Sequence, residues 1–559
     1  MSRREDVRRT CGAGRWGWGL GMVAIVLIPI LSGPAGVAAQ DIEAVAQMRG
    51  LRLPQAYYER VANDPHAFQL PNGLFRAGDG PLRVESVRPV AGNHKVVVLP
   101  ALFGDSPEPH ITREDIQATL FDGPAPAGTV TEAYAEISGG ALNLTGDVLP
   151  WVRTSRPMVD VVGTTNGLGG DSDLGPYLIE SLELSDPGVD YGQYDNDGPD
   201  NVPNSGDDDG FVDAMVFEFL EIAGSCGGPS IWPHRFGVAS QNDGVPYTTD
   251  DPRPGGGFVQ VNGYITQSVT GCDGVSIQIS NVIAHEYGHV LGLPDFYHPT
   301  ADGGAIGRRW VLGCWGLMAG GSWGCGPIQD ERDPFGPTHM SARNKNVLGW
   351  LDFTEVPLGG VVEQEFVLNP VQTSGEALRI PMDDEGQEYL LVEFRDQVGF
   401  DHQIPASGVL IYHQDLDAVT RPNPASGDPY FLALLEQDDD DGLVRNTIEG
   451  GDRGVAGDAW GVGGVPDMLS SITSPSTRRN DGTATPIVFH SIVVENGQAR
   501  IVLSTEVAIA EDRLLQSFLS NGAQPLDALE LSLLDGGGNG NGVYDIGDLR
   551  AWLRTRGGG

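Results

Sequence analysis

The run HEYGHVLGLPD, from His285 to Asp295, constrains this chain more than any other feature of it. A random chain of the same His and Glu content would contain H-E-x-x-H with a probability on the order of one per cent. Requiring glycine and then aspartate at the following third positions lowers that by roughly a further hundredfold. Chance is a poor explanation. The apolar pattern predicts a helix that starts at Ser280 or Asn281, either able to cap it, and ends near Leu291. Residues four apart on a helix lie one above the other, so His285 and His289 project from one face. Ile283, Tyr287 and Val290 fall on the opposite face, where they can anchor the helix in a core. Gly292 can take a positive φ and end the helix, and Leu293-Pro294 prevents its continuation. The returning chain brings Asp295 within reach of both imidazoles.

Two imidazole nitrogens and one carboxylate oxygen suit zinc, with a fourth position left to water. Such an ion lowers the pKa of its water towards about 7 and polarises a scissile carbonyl. Glu286, adjacent to His285 but rotated away from the ion, is placed to take the water's proton and pass it to the leaving amine. The expectation is therefore peptide hydrolysis, with His285, His289 and Asp295 as zinc ligands and Glu286 as the catalytic base. His298 and Glu331, both downstream of the helix, are rivals for the third ligand. Asp295 is preferred because Gly292 supplies the turn that delivers it.

Residues 1–39 read as a signal peptide. Arg3, Arg4, Arg8, Arg9 and Arg15 precede an apolar run from Trp16 to Leu31, and Val37-Ala38-Ala39 closes it with small residues. The run is short for a bilayer span, and Pro29 interrupts it. No later segment is long and apolar enough to span, which predicts a secreted, extracellular chain with no stable membrane span. The formal charge of −42 becomes three units more negative without the leader. A surface of this sign repels nucleic acid and anionic lipid and favours divalent cations, so nucleic acid is excluded as a partner. Of the five cysteines, Cys11 leaves with the leader. Cys226, Cys272, Cys314 and Cys325 form an even set, expected to pair as Cys226 with Cys272 and Cys314 with Cys325.

Residues 40–93 hold short helical patterns and turn-rich sequence, a pro-segment or an N-terminal wrap. They contain no cysteine, which rules out blocking of zinc by a thiol from that segment. A β-like run at HKVVVLPALF opens a catalytic domain expected over 94–353. Over 354–505 short β-like runs alternate with Gly, Pro and Asp, the pattern of an all-β sandwich. Residues 506–559 make a small helical segment.

Further stretches accompany the histidine run: CWGLMAGGSW (Cys314 to Trp323), PTHMSARNKNVLGW, AYAEISGGALNLTGDVLPWV, YDNDG with GFVDAMVF, IWPHRF, and EYLLVEFRDQVGFDHQIPASGVLIYHQD. Together they resemble the immune inhibitor A family of secreted zinc metallopeptidases, over roughly residues 50–500. The resemblance implies an α+β fold, with a metzincin-like zinc peptidase catalytic domain followed by an all-β sandwich-like domain and a small C-terminal helical calcium-loop segment. It implies one catalytic zinc, protein or peptide substrates and endopeptidase activity, and it supports His285, Glu286, His289 and Asp295 in their roles. It also makes CWGLMAGGSW a Met-containing turn with Met318 as a hydrophobic floor beneath the metal. The alternative is a calcium-dependent surface or binding module whose peptidase domain is inactive, although Glu286 is present.

The family's acidic stretch is compact, whereas YDNDGPDNVPNSGDDDGFVD carries an insertion. Asp195, Asp197, Asp207, Asp209 and Asp213 nevertheless set hard oxygens at alternate positions in a Gly- and Asn-containing loop, which suits calcium. DDDDG, from Asp438 to Gly442, reads as a solvated turn. The tail GNGNGVYDIGDLRAWL places Asn539, Asn541, Asp545 and Asp548 in an EF-hand-like order that resembles half of a dockerin-type calcium repeat. Gly537 stands at its first ligand position, with Asp535 as a substitute. Such a tail would attach the chain to a cell surface or a protein partner.

Overall fold

The valine-rich run GNHKVVVLPAL forms β1 (Gly92–Leu102), and alternate side chains feed two cores: Val96 and Val98 one, Val97 and Leu99 the other. A strand buried on both faces needs helices on both sides. The computed structural model supplies them; it describes residues 90–556 apart from 199, 227, 299–307, 326–335, 421, 423–426, 466, 508 and 520–524. The leader, residues 40–89 and Glu331 thus lie outside the described residues.

Thr129 starts α1 (Val130–Ile137) with a reciprocal capping box: its hydroxyl accepts from the Glu132 N–H, and the Glu132 carboxylate accepts from the Thr129 N–H. The chain returns as β2 (Leu142–Val148), parallel to β1 with Val96 opposite Gly146, and β3 (Val152–Arg153) extends the pairing. Helix α2 (Leu174–Ser185) covers the other face through Tyr177, Leu178 and Leu182. Then follow β4 (Met215–Phe219), β5 (His234–Gly237), the paired β6 (Tyr247–Pro252) and β7 (Phe258–Val261), and β8 (Gly263–Ser268). The main sheet runs β2-β1-β4-β8-β5, parallel except for β5 at its edge.

Helix α3 (Asn281–Val290) lies on the α1 face of this sheet. The Tyr134 hydroxyl donates to the Ala284 carbonyl at 2.7 Å, and the two rings of Tyr134 and Tyr287 meet edge-on at 5.1 Å. Ile283, Tyr287 and Val290 are buried as their spacing implies, and the Tyr287 hydroxyl pairs with His94 Nδ1 on β1 at 3.0 Å. Cys226 joins Cys272 and Cys314 joins Cys325, the pairing expected.

A short α4 (Ala342–Val347) precedes a region of strands: β9 (Thr354–Glu355), β10 (Gln364–Leu368), β11 (Ala377–Pro381), β12 (Glu388–Arg395), β13 (Gly408–Asp415), β14 (Leu432–Leu434), β15 (Asp467–Leu469), β16 (Val488–Glu495) and β17 (Gln498–Ser504). Two sheets, β14-β13-β12-β11-β9 and β10-β17-β16-β15, share an apolar cluster that includes Ile380, Val392, Ile411, Phe489 and Ile501. The alternate residues Leu391, Leu410 and Tyr412 join the cluster beneath α3 instead. Secondary structure therefore changes near residue 354 while the apolar core runs through. Three helices, α5 (Glu511–Leu519), α6 (Ala528–Gly536) and α7 (Ile546–Arg556), close the chain around Leu514, Leu526, Leu534 and Leu549. The whole is a mixed helix and sheet structure, and among the described residues no helix is long and apolar enough to cross a membrane.

Candidate metal centre

Ser280 occupies the position before α3, yet its side chain does not cap the helix. Its hydroxyl donates to the Gly128 carbonyl at 2.9 Å, and the Asn281 amide donates to the Ser322 carbonyl at 2.8 Å, so both fasten the helix start to neighbouring loops. The other end is glycine-terminated. Gly292 has a φ of +83°, its N–H donates to the His289 carbonyl at 2.8 Å, and the Leu293 N–H reaches back to Gly288 at 3.1 Å, the bond pair of a Schellman turn. The chain doubles back, and Asp295 Oδ1 stands 3.1 Å from His285 Nε2 and 3.1 Å from His289 Nε2. All three side chains are buried.

The donor set fits zinc. His285 Nδ1 donates to the Leu317 carbonyl at 2.7 Å and His289 Nδ1 to the Leu293 carbonyl at 2.8 Å; a carbonyl can only accept, so each Nδ1 carries a proton. In neutral rings both Nε2 lone pairs then converge with the carboxylate oxygen. Donors about 2.0–2.1 Å from a tetrahedral zinc stand about 3.3 Å from one another, close to the separations found.

Gly288, between the two histidines, leaves no room for a side chain, because a Cβ there would overlap Met318 Sδ. Met318 is buried, with its sulfur against Gly288. The same turn binds the rest of the site: Leu317 holds His285, and the Met318 carbonyl accepts from the Phe296 N–H at 2.7 Å, one residue past Asp295. The strand region holds the turn in its place. Arg395 Nη1 donates to the Trp315 carbonyl at 2.7 Å, and Trp315 Nε1 donates to Asp458 Oδ2 at 2.7 Å.

Glu286 is half-buried on α3. Facing it is Arg235 on β5, fully buried; burial lowers the pKa of its guanidinium, and the charges of Glu286 and Asp295 oppose that. Arg235 and its neighbour His234, whose Nε2 lies 3.0 Å from the Tyr264 hydroxyl, belong to the stretch IWPHRF, which carries part of the family resemblance but by itself assigns neither residue a role. Their place in the fold is set by strand pairing: β5 runs antiparallel to β8, with His234 opposite Thr266 and Arg235 opposite Ile265. His298 stays outside the trio and pairs through its backbone with Arg309.

In the acidic loop Asp195, Asp197 and Asp208 each bring an oxygen within reach of a single ion. Asp207, expected among the ligands, takes the Ser205 hydroxyl on the exposed side instead. A turn at this point selects its neighbour, since the Gly198 and Ser205 N–H groups donate to Asp208 at 2.7 and 2.6 Å. Asp209 accepts from the Phe211 N–H at 2.8 Å, and Asp213 from the Asn196 N–H at 3.0 Å. Asp195 is 1% exposed, and neither of its carboxylate oxygens has a hydrogen-bond partner. Burial, with Asp208, Asp209 and Asp197 beside it, pushes its carboxyl up to about 7.

The C-terminal loop closes on itself. Asp548 accepts from the Asn539 and Asp545 N–H groups at 2.9 and 2.6 Å, and the amides of Asn539 and Asn541 donate to Asp545 at 3.2 and 3.1 Å. Asp535 accepts from the Gly542 N–H.

Residues 114–351 match the family described as immune inhibitor A peptidase M6, catalytic domain. That stretch holds α3, Gly292, Asp295, Met318 and the acidic loop, and it stops short of the strand region. Immune inhibitor A of Bacillus thuringiensis subsp. alesti is 28% identical over 279 residues, which cover 46% of this chain and 35% of that protein. The pre-pro-metalloprotease PrtV of Vibrio cholerae serotype O1 is 25% identical over 262 residues, 44% of this chain and 27% of that protein. The chain thus spans about a third of the length of the curated relatives it matches. Among solved structures, wild-type OgpA from Akkermansia muciniphila overlaps at 12% identity and a TM-score of 0.22, over 56% of this chain and 76% of that one, too slight a likeness to bear on the fold.

Proposed function

We propose that this chain, whose residues 114–351 match the immune inhibitor A peptidase M6 catalytic domain, is a secreted zinc endopeptidase acting on extracellular proteins. One observation carries the reading: His285 Nε2, His289 Nε2 and Asp295 Oδ1 converge while both Nδ1–H groups are held by backbone carbonyls. Zinc bound there supplies a Lewis acid and a water of lowered pKa. The Leu317 and Leu293 carbonyls fix the imidazole planes and their tautomer. Glu286, next to His285 on α3, accepts the proton of the attacking water and returns it to the leaving nitrogen. Arg235 adds a buried positive charge opposite the carboxylates of Glu286 and Asp295.

Calcium is assigned a structural role in the acidic loop, at Asp195, Asp197 and Asp208. The buried, unbonded carboxylate of Asp195 supports this, because such a group is costly unless a cation satisfies it. The strand region, 354–505, is read as a β-sandwich, and the helical tail as an attachment segment.

Purified protein should contain one zinc per chain, lose casein hydrolysis on treatment with a zinc chelator, and recover it when zinc is restored. Full proteolysis by zinc-free protein would overturn the reading.

A further inference from the structure

The run LLEQDDDDGLVRN follows β14, and its acidic centre reads from sequence as a solvated turn. We propose that Glu436, Asp438 and Asp440, with Asp458 beside them, form a calcium site at the junction between the strand region and the Met-containing turn.

Glu436, Asp438 and Asp440 each offer a carboxylate oxygen, all within 4.8 Å of one another. Clustered acids alone are common on surfaces; here a second observation points to a ligand. Asp458 is fully buried, and its two oxygens differ. Oδ2 accepts from Trp315 Nε1 at 2.7 Å and from the Val455 N–H at 3.0 Å, whereas Oδ1 has no hydrogen-bond partner. The backbone stitches Asp458 to the acidic run, since the Gln437 N–H donates to the Asp458 carbonyl and the Asp438 N–H to the Gly457 carbonyl, both at 3.1 Å. Asp458 thus lies against the acidic run with one buried carboxylate oxygen left without a donor. Of the charges acting on Glu436, that of Asp458 is the largest, and Asp452 and Asp438 act on Asp458 in turn.

A buried oxygen without a donor is costly, and so are several carboxylates gathered with little positive charge among them. The basic group paired within the cluster, Arg445, reaches Asp440 at 3.8 Å on the exposed side. Glu436 takes the Leu443 N–H at 3.1 Å, but among the described residues neither it nor Asp458 has a basic side chain paired with it. A donor set made only of oxygens suits calcium rather than zinc. The ion would settle Asp458, and Asp458 holds Trp315, so the site braces the turn that carries Leu317 and Met318.

The test uses the full chain, stripped with EGTA and titrated with calcium or with terbium as a luminescent probe. Trp315 lies close enough to the site to sensitise terbium emission. Asp438 and Asp440 are exposed, so the double variant D438N/D440N should keep its far-UV circular dichroism and its melting temperature in EGTA. It is expected to bind one calcium fewer per chain than wild type and to lose part of the tryptophan-sensitised terbium emission. Asp197→Asn, in the separate acidic loop, should leave that part of the emission in place. An unchanged calcium count and unchanged emission in D438N/D440N would overturn the proposal, whatever the result for zinc or for proteolysis.

Discussion

The His285–His289–Asp295 group and the Asp195–Asp197–Asp208 group both bring three donors to one point, but they are held in different ways. The first stands on rigid elements: a helix packed in the core, a glycine-terminated turn, and two carbonyls that fix the imidazoles at 2.7 and 2.8 Å. The second hangs on a loop whose shape comes from N–H bonds to the carboxylates themselves, as from Gly198 to Asp208 and from Asp209 to Asp197 at 3.1 Å. Preorganisation of the first belongs to the fold, so it should survive loss of its ion. In the second the acids repel one another, and on the proposed reading a cation offsets that repulsion and keeps the loop ordered.

The largest effect expected concerns chemistry alone. Glu286→Gln should keep zinc and melting temperature while lowering peptide hydrolysis by roughly 10²–10⁴-fold, the usual weight of a general base. Metal content and a casein assay on the same preparation decide it. If zinc is lost together with activity, Glu286 helps to hold the ion, and the helix centre is less self-sufficient than its geometry indicates. Next comes the loop. An ion held at a hundred times its dissociation constant stabilises by about 2.7 kcal/mol, so Asp195→Asn should remove about that much of the calcium-dependent stabilisation, seen as a smaller rise in melting temperature when calcium is added. Zinc content should not change. A full calcium response in Asp195→Asn would break the contrast between the two centres.

The two regions also differ in how far the sequence reveals them. His285, Glu286, His289, Gly292 and Asp295 lie within one helix and one turn, where a fixed period converts spacing into geometry. The acidic loop has no such period. Counting alternate positions selects Asp207, and only the turn made by the Ser205 N–H and hydroxyl hands the inward position to Asp208. Contacts across the fold are less legible still: Trp315 and Asp458 are 143 residues apart, and Arg235 reaches the site through strand pairing. EYLLVEF and VLIY are apolar at successive positions, and a strand buried on both faces reads this way; β12 and β13 are indeed buried on both. That pattern points to a core continuing past residue 354.

Gly292 offers a smaller and sharper probe of the rigid centre. At a φ of +83°, alanine should cost about 1–2 kcal/mol, because its Cβ crowds the following carbonyl. The expected result for Gly292→Ala is a melting temperature a few degrees lower and weaker zinc binding, with the calcium response intact. A lower melting temperature without any change in zinc affinity would mean that Asp295 is positioned by Phe296 and Met318 rather than by the turn.

The smallest effect comes from the footing of α3. Burial lowers the His94 imidazole to about 4, against a raising backbone bond from Ala91, and its Nδ1 meets the Tyr287 hydroxyl. A histidine depressed in the fold and near 6.5 when unfolded is protonated first in the unfolded chain, so stability falls as pH drops from about 6.5 towards 4. Over the first unit the loss is about 1 kcal/mol. Asp195, pushed upward, has the opposite sign: calcium-free, it favours the fold at low pH and loses that contribution as pH rises through about 7. Melting temperatures at pH 6.5 and 5.5 under saturating calcium suppress that opposing slope. His94→Gln should flatten the acid decline without altering the calcium response, whereas an equal decline in both proteins would show that α3 does not depend on a neutral His94.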